Sequence, residues 1–288
     1  MNAVDSCIVC GSKDLNTYNA QCSPFLAERI WGSEPFDTTL THCNHCDFAF
    51  YNPRPEDSEL DRLYANYRGV EYQQQRQKFE PGYTQEVNES LGHSTTEIAA
   101  RKQNMARFLK GQVDYTKIKA VLDYGGDNGQ FITPEFRNSE KYVYDISGVP
   151  LLSGVKRISS IDESRMHKFD FIMCCNVLEH VSSPNKIISN LLRFSHKGTV
   201  MYFEVPADSP INGIKRTVTA LFQNYPGLYQ WYSLVRGSKK PYIIFEMHEH
   251  INHLSRKSLQ TLLKLHGIKT TSCDKTKTTI YCLAEVAA

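Results

Sequence analysis

The pattern of apolar and polar positions divides the chain into three parts. Short apolar runs alternate with polar turns up to residue 55, whereas 56–117 is polar with apolar residues at helical spacing. Compact apolar runs bounded by turns then follow from 118 to 288, which is typical of buried strands. We therefore predict a small N-terminal module, a helical connector and a larger α/β domain.

Five apolar runs in the third part predict strands. They are IKAVLDY (118–124), KYVYD (141–145), VKRIS (155–159), FDFIMCC (169–175) and GTVMYFEVP (198–206). Stretches long enough for helical connectors separate them, although Pro134 makes the first connector a poor helix. Strands that alternate with helices predict a doubly wound, Rossmann-like parallel sheet, whose ligands bind at the carboxyl ends of the strands.

Glycines and acids mark those carboxyl ends. Gly125, Gly126 and Gly129 follow the first strand, and glycines let the backbone approach a cofactor closely. Asp145 closes the second strand, where an acid can accept hydrogen bonds from ribose hydroxyls. Asp127 occupies the middle of the turn, and its negative charge suits a cationic ligand better than a pyrophosphate. A dinucleotide-binding turn is the alternative that this acid disfavours.

Residues 118–206 resemble class I S-adenosylmethionine-dependent methyltransferases. VLDYGGDNG resembles their first motif, YVYDIS their second, and FDFIMCCNVLEHV their fourth. The resemblance implies S-adenosylmethionine as cofactor, with its methionine part against Asp123, Gly125 and Gly126. It further implies that Asp145 holds the ribose, that Asp162 reaches the adenine, and that Cys175 and Asn176 border the sulfonium.

Four cysteines of the N-terminal module form two C-x2-C pairs, Cys7 with Cys10 and Cys43 with Cys46. Four thiolates satisfy tetrahedral zinc and leave no open position for chemistry, so we predict a structural Zn²⁺ site. Four incidental buried cysteines are the alternative.

The four-cysteine module, the tyrosine-rich connector and the methyltransferase core together resemble the zinc-containing sugar methyltransferases of deoxysugar and surface-polysaccharide pathways. The resemblance implies methylation of a sugar in a polysaccharide such as the O-antigen of lipopolysaccharide, or in its precursor. The C-methylating members carry a further C-terminal domain that this sequence lacks, so we expect O-methylation. C-methylation of a nucleotide-linked deoxysugar is one alternative, and a non-catalytic zinc-dependent interaction module is another.

The segment FEMHEHINHLS, residues 245–255, concentrates histidines and glutamates. Methylating a hydroxyl requires removal of its proton, and histidine titrates near neutral pH. The sugar methyltransferases have a Glu-His pair at this place, so we predict His250 as the general base and Glu249 as the group that orients it. A metal site or a polar surface loop is the alternative.

The connector supplies a further set of candidate residues. Tyr67, Arg68, Tyr72 and Arg76 could line one wall of the acceptor pocket, although a solvated helical connector explains them equally well.

We predict a helical insertion at about 207–245. Residues 211–245 carry five Lys/Arg, no Asp/Glu and many aromatic residues. This composition fits a substrate lid, a homodimer contact, or a peripheral surface for anionic lipid that carries a lipid-linked acceptor.

The overall composition, with 41% hydrophobic and 22% charged residues and a net charge of +2, is that of a globular protein without a nucleic-acid partner. No run approaches the roughly 18 apolar residues of a membrane span, and the N-terminus lacks the pattern of a secretory signal. We expect a cytoplasmic protein, with peripheral membrane contact at most.

Overall fold

The computed structural model describes residues 1–91, 94–208, 210–211, 245–287 and positions 221, 225, 227 and 228. The described strands, in chain order, are β1 (Leu15–Cys22), β2 (Asp37–Cys43), β3 (Ala49–Asn52), β4 (Ala120–Tyr124), β5 (Glu140–Tyr144), β6 (Val155–Ile158), β7 (Phe169–Cys175), β8 (Ser195–Pro206), β9 (Phe245–Met247), β10 (Asn252–His253), β11 (Ile268–Lys275) and β12 (Thr279–Val286). They form two sheets.

The larger sheet has seven strands in the order β11-β12-β8-β7-β4-β5-β6. Strands β4 to β8 pair in parallel, whereas β12 is antiparallel to both β8 and β11. The five strands predicted from the apolar runs are all present. The prediction of a Rossmann-like α/β sheet is confirmed, and the carboxyl ends of β4, β5, β7 and β8 meet at one edge.

The described helices are α1 (Pro24–Leu26, continued by a π-helical turn through Trp31), α2 (Asp57–Tyr64), α3 (Val70–Phe79), α4 (Gln85–Ser90), α5 (Thr95–Leu109), α6 (Pro184–Arg193) and α7 (Arg256–Leu265). Helices α2 to α5 lie between β3 and β4, in the segment for which a helical connector was predicted. Ser255 caps α7 through its side chain, which accepts a hydrogen bond from the backbone N–H of Ser258. After β4 the chain makes only a short 3-10 turn at Pro134–Phe136, because proline follows the glycine turn too closely for a full helix.

The smaller sheet combines the N-terminal module with residues from far along the chain. Its order is β10-β3-β2-β1-β9, so two of its five strands come from the histidine-rich segment. Strand β9 pairs in parallel with β1, and Asn252 of β10 lies opposite Phe50 of β3. The segment between β9 and β10 also contacts the carboxyl edge of the larger sheet, since the N–H of Ile251 donates to the carbonyl oxygen of Glu179, which follows β7.

Arg54 links the two sheets by hydrogen bonds. Its side chain is buried and donates hydrogen bonds to the carbonyl oxygens of Val181 and Ser182 and to Oδ1 of Asn252. Cys7, Cys43 and Cys46 also lie in the hydrophobic core that contains the buried side chains of β7 and α6. The cysteine module is therefore packed into the larger domain.

No helix in the described parts of the chain combines the length and hydropathy that a bilayer-spanning segment needs. The predicted insertion and its basic, aromatic stretch 211–245 lie almost wholly outside the described residues, so the lid, dimer and lipid-surface predictions for it stay predictions.

Candidate active site

The glycine turn after β4 lies directly against the end of β5. The backbone N–H of Gly125 donates to the carbonyl oxygen of Tyr144 at 2.7 Å. Gly125 has φ of +75°, and a Cβ there would overlap a methyl group of Val177. A Cβ on Gly126 would overlap the carboxyl group of Asp123 and lie 2.5 Å from its Oδ2. These two positions therefore accept only glycine, and Gly125 is exposed whereas Gly126 is buried.

Asp123 forms the floor of this turn. It is 1% exposed, and its Oδ2 has no hydrogen-bond partner within the described residues. Burial raises the pKa of this carboxyl from 3.8 to about 7, with a smaller contribution from Asp145 and Glu204. A buried carboxylate without a partner is costly, and a cationic ligand would supply the missing partner. The site therefore fits the ammonium group of S-adenosylmethionine.

The buried acid predicts a pH dependence with a definite sign. Between pH values of about 4 and 7, folded Asp123 retains a proton that the unfolded chain has lost. We therefore expect the cofactor-free protein to lose stability as the pH rises through this window. Denaturant unfolding at pH 5 and pH 8 measures the loss, and Asp123→Asn should make it smaller but not abolish it, because the pKa of the buried Glu179 is also raised. A wild-type profile with the same slope as the variant would contradict the assignment.

Asp145 and Gly129 lie on either side of the turn. One Asp145 carboxylate oxygen accepts from the backbone N–H of Asp127 at 2.9 Å, and the other accepts from that of Ser147 at 2.7 Å. The carboxylate is thereby fixed at the carboxyl end of β5, where ribose was predicted. A Cβ on Gly129 would lie 3.2 Å from Val143 and Val155. Gly129 therefore serves the packing of the turn on the sheet, and its contact with the cofactor stays a prediction.

Cys175 ends β7 and Asn176 follows it, and the two residues differ in exposure, since Cys175 is buried and Asn176 is partly exposed. Cys175 is buried and packs into the core between β7 and α5. Asn176 has φ of +53°, and its N–H donates to the carbonyl of Glu204 at 2.7 Å.

Arg101 was missed in the sequence. Its Nε donates to Glu204 Oε1 at 3.0 Å, and its guanidinium lies 3.9 Å from the ring centre of Phe131. Its charge also lowers the pKa of Asp123.

Asp162 is not brought to this edge. It lies in the first turn of a 3-10 helix, Ile161–Arg165, and pairs with Arg193 at 2.8 Å. Arg193 ends α6 two residues before β8 begins, so the pair directs the carboxylate to a helix and to solvent. The carboxylate of Asp162 therefore already has a partner in this structure, and its contact with the adenine stays a prediction. The Ser160–Glu163 capping box in the sequence is the signal of a helical start that was overlooked.

His250 is held by Asp208 and not by Glu249. Its Nδ1 donates to Asp208 Oδ2 at 2.6 Å, and the same carboxylate lies 3.3 Å from Nδ1 of His253. Burial lowers the pKa of His250, but the bond to Asp208 and the charge of Glu179 outweigh that effect and raise it. Asp208 follows β8, 42 residues before His250, so the pair is invisible in local sequence.

Glu249 instead belongs to a buried ion-pair network with the connector. It accepts hydrogen bonds from the hydroxyl of Tyr72 and from Nη1 of Arg76, the latter at 2.9 Å. Arg76 also pairs with Glu80 at 2.9 Å. Tyr72 is fully buried, so it cannot line an open acceptor pocket. The prediction of Glu249 as the orienter of His250 is wrong, and Tyr72 and Arg76 act as supports for Glu249.

Tyr67 and Arg68 lie at the surface end of the same network. Tyr67 is 37% exposed and packs edge-on against Tyr64 and Tyr72. Arg68 lies over the Tyr67 ring at 5.0 Å and donates to the carbonyl of Leu91 at 2.7 Å. Of the four predicted connector residues, Tyr67 has the most accessible surface for an acceptor.

Glu179 and His180, which follow β7, complete the acid–histidine group. Glu179 is 1% exposed, and neither carboxylate oxygen has a hydrogen-bond partner in the described chain. Burial raises its pKa to about 8 and lowers that of His180 to about 4. The rings of His180 and His250 lie 4.8 Å apart. This group and the glycine turn follow adjacent strands of the same sheet edge, so they bound one site.

The four predicted zinc ligands are brought together. Sγ of Cys7 lies 3.6 Å from that of Cys46, and Sγ of Cys10 lies 3.6 Å from that of Cys43. All four sulfur atoms lie within 4.8 Å of one another and none forms a disulfide. Thiolates on tetrahedral zinc, at about 2.3 Å from the metal, are separated by about 3.8 Å. The donor set and spacing therefore fit zinc.

Both cysteine turns repeat one backbone geometry. The residue after each pair has positive φ, +74° at Gly11 and +61° at Asp47, and its N–H donates to the carbonyl of the first cysteine. The two C-x2-C turns therefore share the same backbone conformation and the same backbone hydrogen bond.

The family comparison decides the class of protein. A family of methyltransferase domains matches residues 83–272, which is more than half of the chain. The chain belongs to the methyltransferase domain family. The prediction of an S-adenosylmethionine-dependent methyltransferase is confirmed at this level, and Asp123 with its glycine turn is the part of the fold that suits that cofactor.

Solved structures similar to this methyltransferase include three methyltransferases. They are an O-methyltransferase family protein from Burkholderia thailandensis (12% identity, 68% of this chain and 61% of that chain, TM-score 0.40), an S-adenosylmethionine-dependent methyltransferase from Clostridium acetobutylicum (10%, 70% and 97%, 0.43) and human N-acetylserotonin methyltransferase in complex with SAM (16%, 78% and 59%, 0.41). The chain thus spans 61% of the length of the Burkholderia protein. At these TM-scores the likeness carries no argument about acceptor or mechanism. No curated protein matches the sequence.

Proposed function

We propose that this methyltransferase transfers a methyl group from S-adenosylmethionine to a hydroxyl group of a sugar, in a surface polysaccharide such as O-antigen or in its precursor. The sugar acceptor is suggested by the sequence resemblance. The observation that supports the proposal is the His250–Asp208 pair, because Asp208 follows β8 and bonds Nδ1 of an imidazole whose Nε2 has no hydrogen-bond partner among the described residues.

The cofactor would be held by the chain's own groups along that edge. Asp123 and the backbone of Gly125 and Gly126 suit the ammonium end of its methionine, since the acid lacks a partner and the turn accepts only glycine. Arg101 lies nearby with a guanidinium suited to the carboxylate of the same methionine. Asp145 is placed for the ribose hydroxyls. The cofactor supplies the methyl group on a sulfonium.

The acceptor would lie over the half-exposed His250. Asp208 accepts a hydrogen bond from Nδ1–H, so Nε2 is the ring atom that would take the proton of the acceptor hydroxyl. The hydroxyl oxygen attacks the methyl carbon, the carbon–sulfur bond breaks, and the hydroxyl proton passes to Nε2. Because the reaction is an in-line displacement, alignment of acceptor and cofactor supplies much of the acceleration.

We further propose that Cys7, Cys10, Cys43 and Cys46 bind a structural zinc ion. The sulfur spacing and the paired C-x2-C turns support it. Four protein ligands leave no position for an acceptor, so the zinc would stabilise the smaller sheet.

The proposal predicts a separation of binding from turnover. His250→Gln should lower kcat by roughly a hundredfold to ten-thousandfold, since general-base catalysis has about that value. The affinity for S-adenosylhomocysteine, measured by calorimetry, should stay unchanged. His196→Gln is the matched control, because His196 lies at the start of β8, at the opposite ends of the strands, and bonds Asp170.

The assay uses methyl-labelled cofactor and cell-envelope glycans from cells that lack the protein, with mass spectrometry of the product. Label in an ether-linked methyl group on a sugar supports the proposal. Label on a sugar carbon would assign C-methylation instead, and undiminished function of His250→Gln would favour a non-catalytic module.

A further inference from the structure

Glu179, His180 and His250 converge around one point at the carboxyl edge of the larger sheet. One donor atom from each residue lies within 4.8 Å of the others. Both oxygens of the buried Glu179 side chain lack a hydrogen-bond partner in the described chain, and Oε1 lies 3.9 Å from Nε2 of His180. A buried carboxylate that lies near two imidazoles without a bond to either is energetically unfavourable, because no hydrogen bond or charge pair compensates for its lost hydration.

The far side of each imidazole is already engaged. Nδ1 of His180 lies 3.0 Å from the carbonyl oxygen of Glu249 and 2.9 Å from the hydroxyl of Tyr64, and Nδ1 of His250 lies 2.6 Å from Asp208. Carbonyl and carboxylate oxygens only accept hydrogen bonds and the Tyr64 hydroxyl is able to accept one, so a proton on Nδ1 of each ring satisfies all three contacts. Each Nε2 is left with a lone pair. Histidines that ligate metals are held in this way, with the other ring nitrogen bonded to a carboxylate or a backbone carbonyl.

We propose that Glu179, His180 and His250 bind a divalent transition-metal cation through one carboxylate oxygen and two Nε2 atoms. Two imidazoles and a carboxylate suit Mn²⁺, Fe²⁺, Co²⁺ or Zn²⁺ and leave further positions open. The half-exposed His250 has room to move the roughly 1 Å that metal–ligand distances of about 2.0–2.2 Å require.

The open positions would bind hydroxyl oxygens of the acceptor. A hydroxyl held on the cation would lose its proton to solvent water, with Nε2 of His250 occupied as a ligand. Without the cation, His250 accepts the proton itself. This use of the site rests on the proposed function, whereas the binding of the cation does not.

The site differs in chemistry from the four-cysteine cluster, and this difference gives the test. Mn²⁺ prefers oxygen and nitrogen ligands to thiolates. Mn²⁺ is titrated into the full-length protein with its zinc retained, and the loss of the electron paramagnetic resonance signal of free Mn²⁺ is followed. We expect one saturable equivalent per chain in the wild type and none in Glu179→Gln. Asp208→Asn, which removes the support of His250, should weaken the binding by roughly tenfold to a hundredfold.

Two controls keep the result interpretable. Glu59→Gln changes another buried acid, one that is bonded to Trp31, and should bind Mn²⁺ as the wild type does. A thermal shift with Mn²⁺ should be seen in the wild type and lost in Glu179→Gln, with S-adenosylhomocysteine binding intact in both.

Absence of saturable Mn²⁺, Co²⁺ or Fe²⁺ binding would overturn the inference. Equal Mn²⁺ binding by wild type and Glu179→Gln would overturn it too. If the cation fails to bind while the cofactor binds and His250→Gln is inactive, the proposed function stands with His250 as direct base. If the cation binds and the cofactor does not, the proposed function fails alone.

Discussion

Gly126→Ala is expected to weaken S-adenosylmethionine binding by on the order of a hundredfold or more. The added Cβ would overlap the carboxyl group of Asp123, which is buried and cannot move aside without disturbing β4. Either the turn rises into the space of the cofactor or the acid shifts away from the ammonium group, and both changes remove binding energy. Calorimetry with S-adenosylhomocysteine measures the loss directly.

Gly82→Ala is the matched control for this substitution. A Cβ at Gly82 meets no atom within 4 Å, and its φ lies outside the left-handed region. This variant should bind the cofactor like the wild type. Because Gly126→Ala adds a single methyl group at an edge turn, its far-ultraviolet circular dichroism should remain native, which separates lost binding from lost folding. Wild-type affinity for S-adenosylhomocysteine in Gly126→Ala would contradict the claim that the glycine turn binds the cofactor.

Cys43→Ser is expected to release the metal and to destabilise the protein by about 3 kcal/mol or more. Structural zinc contributes folding energy directly, and Cys43 is buried in the core shared by the two sheets. We expect metal content near zero by mass spectrometry and a lowered denaturation midpoint. A chelator added to the wild type should reproduce the same midpoint.

Cys273→Ser is the comparison for that experiment, since Cys273 is a free, half-buried cysteine of β11 that lies outside the four-cysteine cluster. It should keep both metal and stability. If Cys43→Ser retained one equivalent of zinc and the wild-type midpoint, the cysteines would be incidental core residues.

Local chemistry made part of the site predictable. The two cysteine pairs each carry both ligands in four residues, so only their meeting had to be assumed. Asp145 was equally accessible to sequence reasoning, because the end of an apolar run fixes where its side chain lies. The parallel sheet followed from the repeated apolar runs for the same reason.

Long-range pairing limited the rest. Glu249 and His250 are neighbours in non-helical chain, where successive side chains seldom point the same way. Glu249 therefore forms a hydrogen bond with Arg76. His250 forms its own with Asp208, which follows the end of β8. The transfer of β9 and β10 to the smaller sheet has no local signal either, because two- and three-residue strands leave no pattern.

The central claim is that the glycine turn after β4, together with the buried Asp123, binds a cationic methyl donor. Calorimetric titration of wild-type protein at pH 8, where Asp123 is ionised, tests it most directly. We predict saturable one-site binding of S-adenosylmethionine and of S-adenosylhomocysteine, and no heat from NAD⁺. Tight binding of NAD⁺ with no heat from either sulfur compound would contradict the account.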